Sequence, residues 1–119
     1  YDVKHAVAEG GSSWVNGLDV LKSHIRCIDI KDFVWAKKDG KWREEIVPLG
    51  EGMVDFKTYF ARLKQYGISG PMSVHYEYPL GGAETGKKQL TMPPDDVLAA
   101  MKRDLQTLQK LLKEAALAE

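Results

Sequence analysis

An apolar run from Ile25 ends in charge at Asp29, Lys31 and Asp32, and a second run from Met72 carries Ser73, His75 and Glu77 at alternate positions. Carboxylates and an imidazole at the end of a strand can move protons or ligate a cation, and a lysine beside them can neutralise an oxyanion. Strand side chains alternate between two faces. Asp29 and Lys31 therefore share a face with Ile25 and Cys27, opposite Arg26, Ile28 and Ile30, while Ser73, His75 and Glu77 oppose Met72, Val74, Tyr76 and Tyr78. Open α/β sheets and barrels bind ligands where their strands stop, so the charged ends are where chemistry is expected. For Lys31 and Asp32 alone, an exposed ion pair explains the residues equally well.

The elements that position these groups can be read in chain order. Tyr1 to Lys4 reads as the end of a strand, followed by a turn around Gly10 and Gly11 and a short helix from Trp14 to Lys22. The strand Ile25 to Phe33 comes next, then an insertion from Val34 to Glu45 with the Asp39-Gly40 hairpin signal, which would set Trp35 against Trp42. A helix opens at the N-cap Asp55, buries Phe56, Tyr59, Phe60, Leu63 and Tyr66, and stops at Gly67. A strand from Met72 to Tyr78 and a glycine-rich loop lead to a last helix. Its stripe is Val97, Leu98, Met101, Leu105, Leu108, Leu112 and Ala115. The order strand, helix, strand, helix, strand, helix predicts parallel neighbouring strands covered by helices.

Composition narrows the class. Of 119 residues, 44% are hydrophobic and 29% charged, which is globular and fits one domain. Seventeen basic side chains balance seventeen acidic ones, without the basic stripe of a nucleic-acid binder. No apolar run reaches membrane-spanning length. One cysteine, Cys27, excludes an internal disulfide framework and suits a reducing, cytoplasmic setting. His24, ahead of the strand and away from its charged end, reads as structural or solvent-exposed. The chain opens at Tyr1 without methionine, which is read as a fragment or a processed product.

Taken together, Tyr1-Asp2-Val3-Lys4-His5-Ala6, Ile28-Asp29-Ile30-Lys31-Asp32-Phe33, Pro48-Leu49-Gly50-Glu51-Gly52-Met53-Val54-Asp55 and Gly70-Pro71-Met72-Ser73-Val74-His75-Tyr76-Glu77 resemble the last three β/α units of the xylose isomerase-like TIM barrel superfamily. The resemblance covers the whole of residues 1–119 and implies an α/β fold: a partial (β/α)8 barrel with parallel strands, its first five units lying outside this chain. It implies a metal-dependent sugar or sugar-phosphate isomerase or epimerase of carbohydrate metabolism when full length, inactive as this piece alone. The partner expected against the open inner face, where Ile25 and Cys27 would expose apolar surface, is the missing N-terminal part of the barrel or a second copy.

The resemblance also assigns roles. Asp2 corresponds to the metal-binding aspartate of an Asp-x-x-His motif and His5 to its substrate-contacting histidine. Asp29 stands where the family has a ligating histidine and His75 where it has a glutamate, as if two ligands had exchanged strands. The implied metal set is Asp2, Asp29 and His75, for Mn²⁺, Mg²⁺ or Zn²⁺. Glu77 is the nearest substitute for the proton-moving base, Lys31 the neutralising cation at an enediolate or sugar oxygen, and Glu51 a substrate contact at the rim. The alternatives are a carbohydrate-binding barrel that has lost catalysis and, ranked last, an apurinic endonuclease-type hydrolase. Two positions that bind extra metal in that branch are Glu44 and Ile46 here.

Overall fold

The computed structural model describes residues 1–118. Tyr1 and Asp2 form a strand end beside β1 (Ile28–Ile30), since the Tyr1 carbonyl accepts from the Asp29 N–H at 2.9 Å and Asp2 bridges Asp29 in parallel. On the other side of β1 lies β4 (Met72–Val74), also parallel, with Asp29 opposite Ser73. The central position of β1 buries Ile28 and Ile30 beneath the helices and leaves Asp29 and Lys31 on the opposite face. Three parallel strands were expected; two pair in parallel, the third neighbour is a single bridge at Asp2, and each is shorter than its apolar run.

The long strand read from Ile25 to Phe33 is two elements. After β1, Lys31 is a pivot and β2 (Asp32–Lys38) turns away to pair antiparallel with β3 (Lys41–Val47). Asp39 and Gly40 form the tip with φ of 51° and 75°, the left-handed pair of a type I′ hairpin turn. Trp35 lies opposite Glu44 and Trp42 opposite Lys37, so the two indoles share a face diagonally rather than meeting. Trp42 is 66% exposed, and Trp35 packs edge-on against Phe33 instead. The strand read to Tyr78 also ends early, at Val74, although His75 still donates to the Ile30 carbonyl at 2.9 Å.

The strand end at Tyr1 gives way at once to α1 (Val3–Gly10), a helix the sequence reading missed. A 3-10 turn then leads into α2 (Trp14–Leu21), which buries Trp14 and Leu18 one turn apart. The helix α3 (Phe56–Tyr66) has the expected ends. The Asp55 carboxylate accepts from the Thr58 N–H at 3.0 Å, and Gly67 takes φ 63° while Ile68 N–H reaches back to the Leu63 carbonyl. Phe56, Tyr59, Phe60 and Leu63 face the core. The helix α4 (Pro94–Glu114) turns most of the expected stripe inward: Val97 and Leu108 are buried and Met101, Leu112 and Ala115 pack partly buried against the core, whereas Leu98 and Leu105 are 62% and 45% exposed and Asp104 is buried in the line instead. Buried Asp104 lies near Tyr78, whose phenol is pushed up by burial and by that carboxylate.

Ile25 is buried in the core and contributes nothing to the open face; Cys27 is exposed there. That face is therefore polar where apolar surface was expected, because its strand ends carry Asp2, Asp29, Lys31, Ser73 and His75. Among the described residues no helix is long and apolar enough to cross a membrane.

Candidate active site

The register of the three strands aligns Asp2, Asp29 and Ser73 in one row across the sheet, with Lys31 and His75 two residues further on. Parity puts all five on the same face. There they join into a continuous chain of contacts. Lys31 Nζ lies 3.2 Å from Asp2 Oδ2 and donates to Glu77 Oε1 and Oε2 at 3.0 and 3.1 Å. Glu77 Oε1 is 3.2 Å from His75 Nδ1, and His75 Nε2 is 3.3 Å from Asp29 Oδ1.

Lys31 is 6% exposed. Burial works to lower its pKa, but hydrogen bonds to Glu77 and Asp2 outweigh that and raise it above the usual lysine value, so the ammonium is firmly charged. For Glu77 burial works upward and is overcome by the hydrogen bond and charge of Lys31 with help from His75, leaving the carboxyl below its ordinary value. The site thus holds a fixed cation touching an ionised carboxylate.

Asp2 has a second task. It is the N-cap of α1, its Oδ1 accepting from the His5 N–H at 3.3 Å. His5 stands three residues on, half-exposed, with Nε2 3.8 Å from Asp2 Oδ2 and Nδ1 3.1 Å from Glu9 Oε1. The Asp-x-x-His spacing is therefore also a helix start, which brings the histidine back over the cap.

Of the seven residues singled out by sequence, Asp2, His5, Asp29, Lys31, His75 and Glu77 come together. Glu51 does not join them: it is exposed in the turn after Pro48, and its side chain makes no hydrogen bond or ion pair among the described residues. His24 is exposed outside the cluster.

Two features escaped the sequence reading. Lys4 is buried, paired with Glu44 of β3 and 5.6 Å above the Phe33 ring, tying α1 to the base of the hairpin. Recognition of α1 would have marked Lys4 as an inward position. Asp32, taken for half of an ion pair, is 1% exposed and accepts backbone N–H bonds from Phe33, Gly50, Gly52 and Val54 at 2.9 to 3.1 Å. The signal for it was the pair of glycines in Leu-Gly-Glu-Gly.

The donor types suit a divalent cation. The 3.3 Å between Asp29 Oδ1 and His75 Nε2 is close to the ~3 Å between adjacent ligands of an octahedral ion with bonds of about 2.1 Å. Among the described residues no three His, Cys, Asp or Glu side chains converge as a ligand group, and Lys31 engages Asp2.

A family profile described as xylose isomerase-like TIM barrel matches residues 1–115. Two curated relatives, the L-ribulose-5-phosphate 3-epimerases UlaE of Salmonella paratyphi C and Salmonella choleraesuis, are each 41% identical over 64 residues, covering 50% of this chain and 20% of the relative. The chain thus spans a small part of the length of these relatives. A crystal structure of a xylose isomerase domain protein from Planctomyces limnophilus superposes with a TM-score of 0.65 and 23% identity, covering 99% of this chain and 38% of that one. With the profile matching all but the last few residues, the chain belongs to the xylose isomerase-like TIM barrel family.

Proposed function

We propose that the whole protein is a metal-dependent sugar or sugar-phosphate isomerase or epimerase, and that this chain supplies the part of its site built on three adjacent strand ends. The observation that carries the reading is the contact chain Asp2, Lys31, Glu77, His75, Asp29. A carboxylate joined to a buried cation is what proton transfer beside a carbonyl requires.

In this reading Glu77 takes the proton from the carbon next to the carbonyl, the C–H electron pair becomes the carbon–carbon double bond, and the carbonyl π pair moves onto its oxygen. The Lys31 ammonium lies beside Glu77 and neutralises the oxyanion of the enediolate so formed. Return of the proton to the former carbonyl carbon, with the neighbouring hydroxyl proton passing to the former carbonyl oxygen, completes an isomerisation; protonation of the original carbon from an acid on the opposite face completes an epimerisation. His75 orients Glu77 through Nδ1, which leaves Nε2, 3.3 Å from Asp29 Oδ1, as the nitrogen for a metal. Asp2, Asp29 and His75 are the residues that would hold the metal, which when bound polarises carbonyl and hydroxyl oxygens as a Lewis acid. His5 contacts the substrate at the rim.

The UlaE relatives, named as epimerases of a pentulose phosphate, support a phosphorylated sugar as substrate. A second reading, a sugar-binding barrel without turnover, is favoured by the engagement of both Asp2 and Glu77 with Lys31. The deciding experiment incubates the full-length protein with candidate ketose phosphates in D2O and follows loss of the proton next to the carbonyl by NMR, alongside metal analysis. Exchange in the parent and its loss in Glu77→Gln supports the first reading. Tight sugar binding without exchange at any added metal supports the second and overturns the first.

A further inference from the structure

We propose that Asp32 is a positioning residue, whose carboxylate pins the end of the strand to the loop at 48–54 and thereby holds Lys31 inward against Asp2 and Glu77. Its role in turnover rests on the reading given above. Asp32 follows Lys31 directly, so parity turns it to the opposite face. There its Oδ1 accepts from Phe33 and Val54, and its Oδ2 from Gly50 and Gly52. Among the described residues no cation pairs with this buried carboxylate; four main-chain dipoles stand in for one. Such an acceptor fixes geometry rather than supplying charge, because every donor is part of a backbone that cannot rotate away.

The loop is built to meet it. An added Cβ at Gly52 would collide with the Asp32 carboxyl and lie 2.6 Å from the Phe33 carbonyl. The Met53 N–H also donates to that carbonyl at 2.8 Å. Lys31 sits where β1 ends and β2 departs, the one residue between the two strands, so its direction depends on what anchors its neighbours. Ile30 is anchored by the His75 N–H, and Asp32 by the loop.

The test uses the full-length protein and two independent perturbations, Asp32→Asn and Gly52→Ala. The amine of Lys31 is labelled by reductive methylation and its extent read by peptide mass spectrometry, with kcat and KM measured in parallel. The expectation is that both variants, folded by circular dichroism, label Lys31 at least several-fold faster than the parent, and that kcat falls by about 10²-fold with KM little changed, as for a misplaced catalytic group. A purely structural role would lower Tm and leave Lys31 as protected as in the parent at low temperature. If either folded variant shows parental labelling, the proposal is wrong. The labelling result decides it even where the parent shows no isomerase or epimerase turnover, so the two readings fail separately.

Discussion

Lys31 and Glu77, 46 residues apart in sequence, meet in a bidentate pair at 3.0 and 3.1 Å, and this pair joins the second and third strand ends of the site. Most of what the site is expected to do depends on that contact.

The pair should give stability a carboxylate signature in pH. Glu77 titrates below its ordinary 4.5 in the folded chain, so its contribution is present above that value and lost as pH falls through the lower folded one. Lys31 is raised, so its contribution is complete below the ordinary 10.5 and lost only as pH rises through the higher folded value. Urea denaturation of the full-length protein should show the parent more stable than Glu77→Gln at pH 7, with the gap closing below about pH 4. A gap that persists at pH 3 would show that the pair is not its source.

Asp2 carries two roles that substitution can separate. Asp2→Asn keeps an N-cap acceptor for α1 and removes the charge facing Lys31, whereas Asp2→Ala removes both. Asp2→Ala should therefore unfold more easily than Asp2→Asn by about 1 kcal/mol, the usual worth of a cap, while both lose turnover. Equal stabilities would mean that the cap bond to His5 contributes nothing.

Tyr59 is wholly buried, its hydroxyl has no hydrogen-bond partner among the described residues, and burial raises its phenol far above the usual range. Removing an unpartnered polar atom from a core should be neutral or favourable. Tyr59→Phe is expected to match the parent or exceed it by up to ~1 kcal/mol in urea denaturation; a loss of 2 kcal/mol would reveal a partner for the hydroxyl.

Asp29→Ala and His75→Ala should each lower the divalent metal retained by the full-length protein by more than 10-fold, the lower end for loss of an outer-sphere partner, and His24→Ala should leave it unchanged. Metal content by elemental mass spectrometry settles this.

The sequence was most legible where local chemistry and packing agree. The helix α3 has a cap, an apolar stripe and a terminal glycine, and it was read almost to the residue; Asp39-Gly40 marked the hairpin. Parity alone placed Asp29, Lys31, His75 and Glu77 on one face, because neighbouring parallel strands make that face common. The misses have physical causes. The helix α1 is short and ends in Gly10-Gly11, and Asp2 had been assigned to metal binding, so its capping role was overlooked. In α4 the apolar pattern marks Val97 and Leu108 as inward but cannot show that polar Asp104 is buried, or that Leu98 and Leu105, each one residue past a buried position, stay exposed. Apart from the adjacent Phe33 amide, the partners of Asp32 and Lys4 lie 18 to 40 residues away in the chain, which no local pattern displays.

Because all four bonds to Asp32 come from main-chain amides, the loop at 48–54 is held without reference to most of its own side chains. Of its side chains only those of Leu49 and Val54 are buried, while Gly52 and, at φ 88°, Gly50 are confined as glycines. Met53 is exposed yet ties the loop to β2, its sulfur accepting from the Trp35 N–H at 3.4 Å, whereas exposed Glu51 has no side-chain hydrogen bond or ion pair among the described residues. The loop's path is thus written in backbone bonds, and position 51 can change its chemistry while the turn itself is left undisturbed.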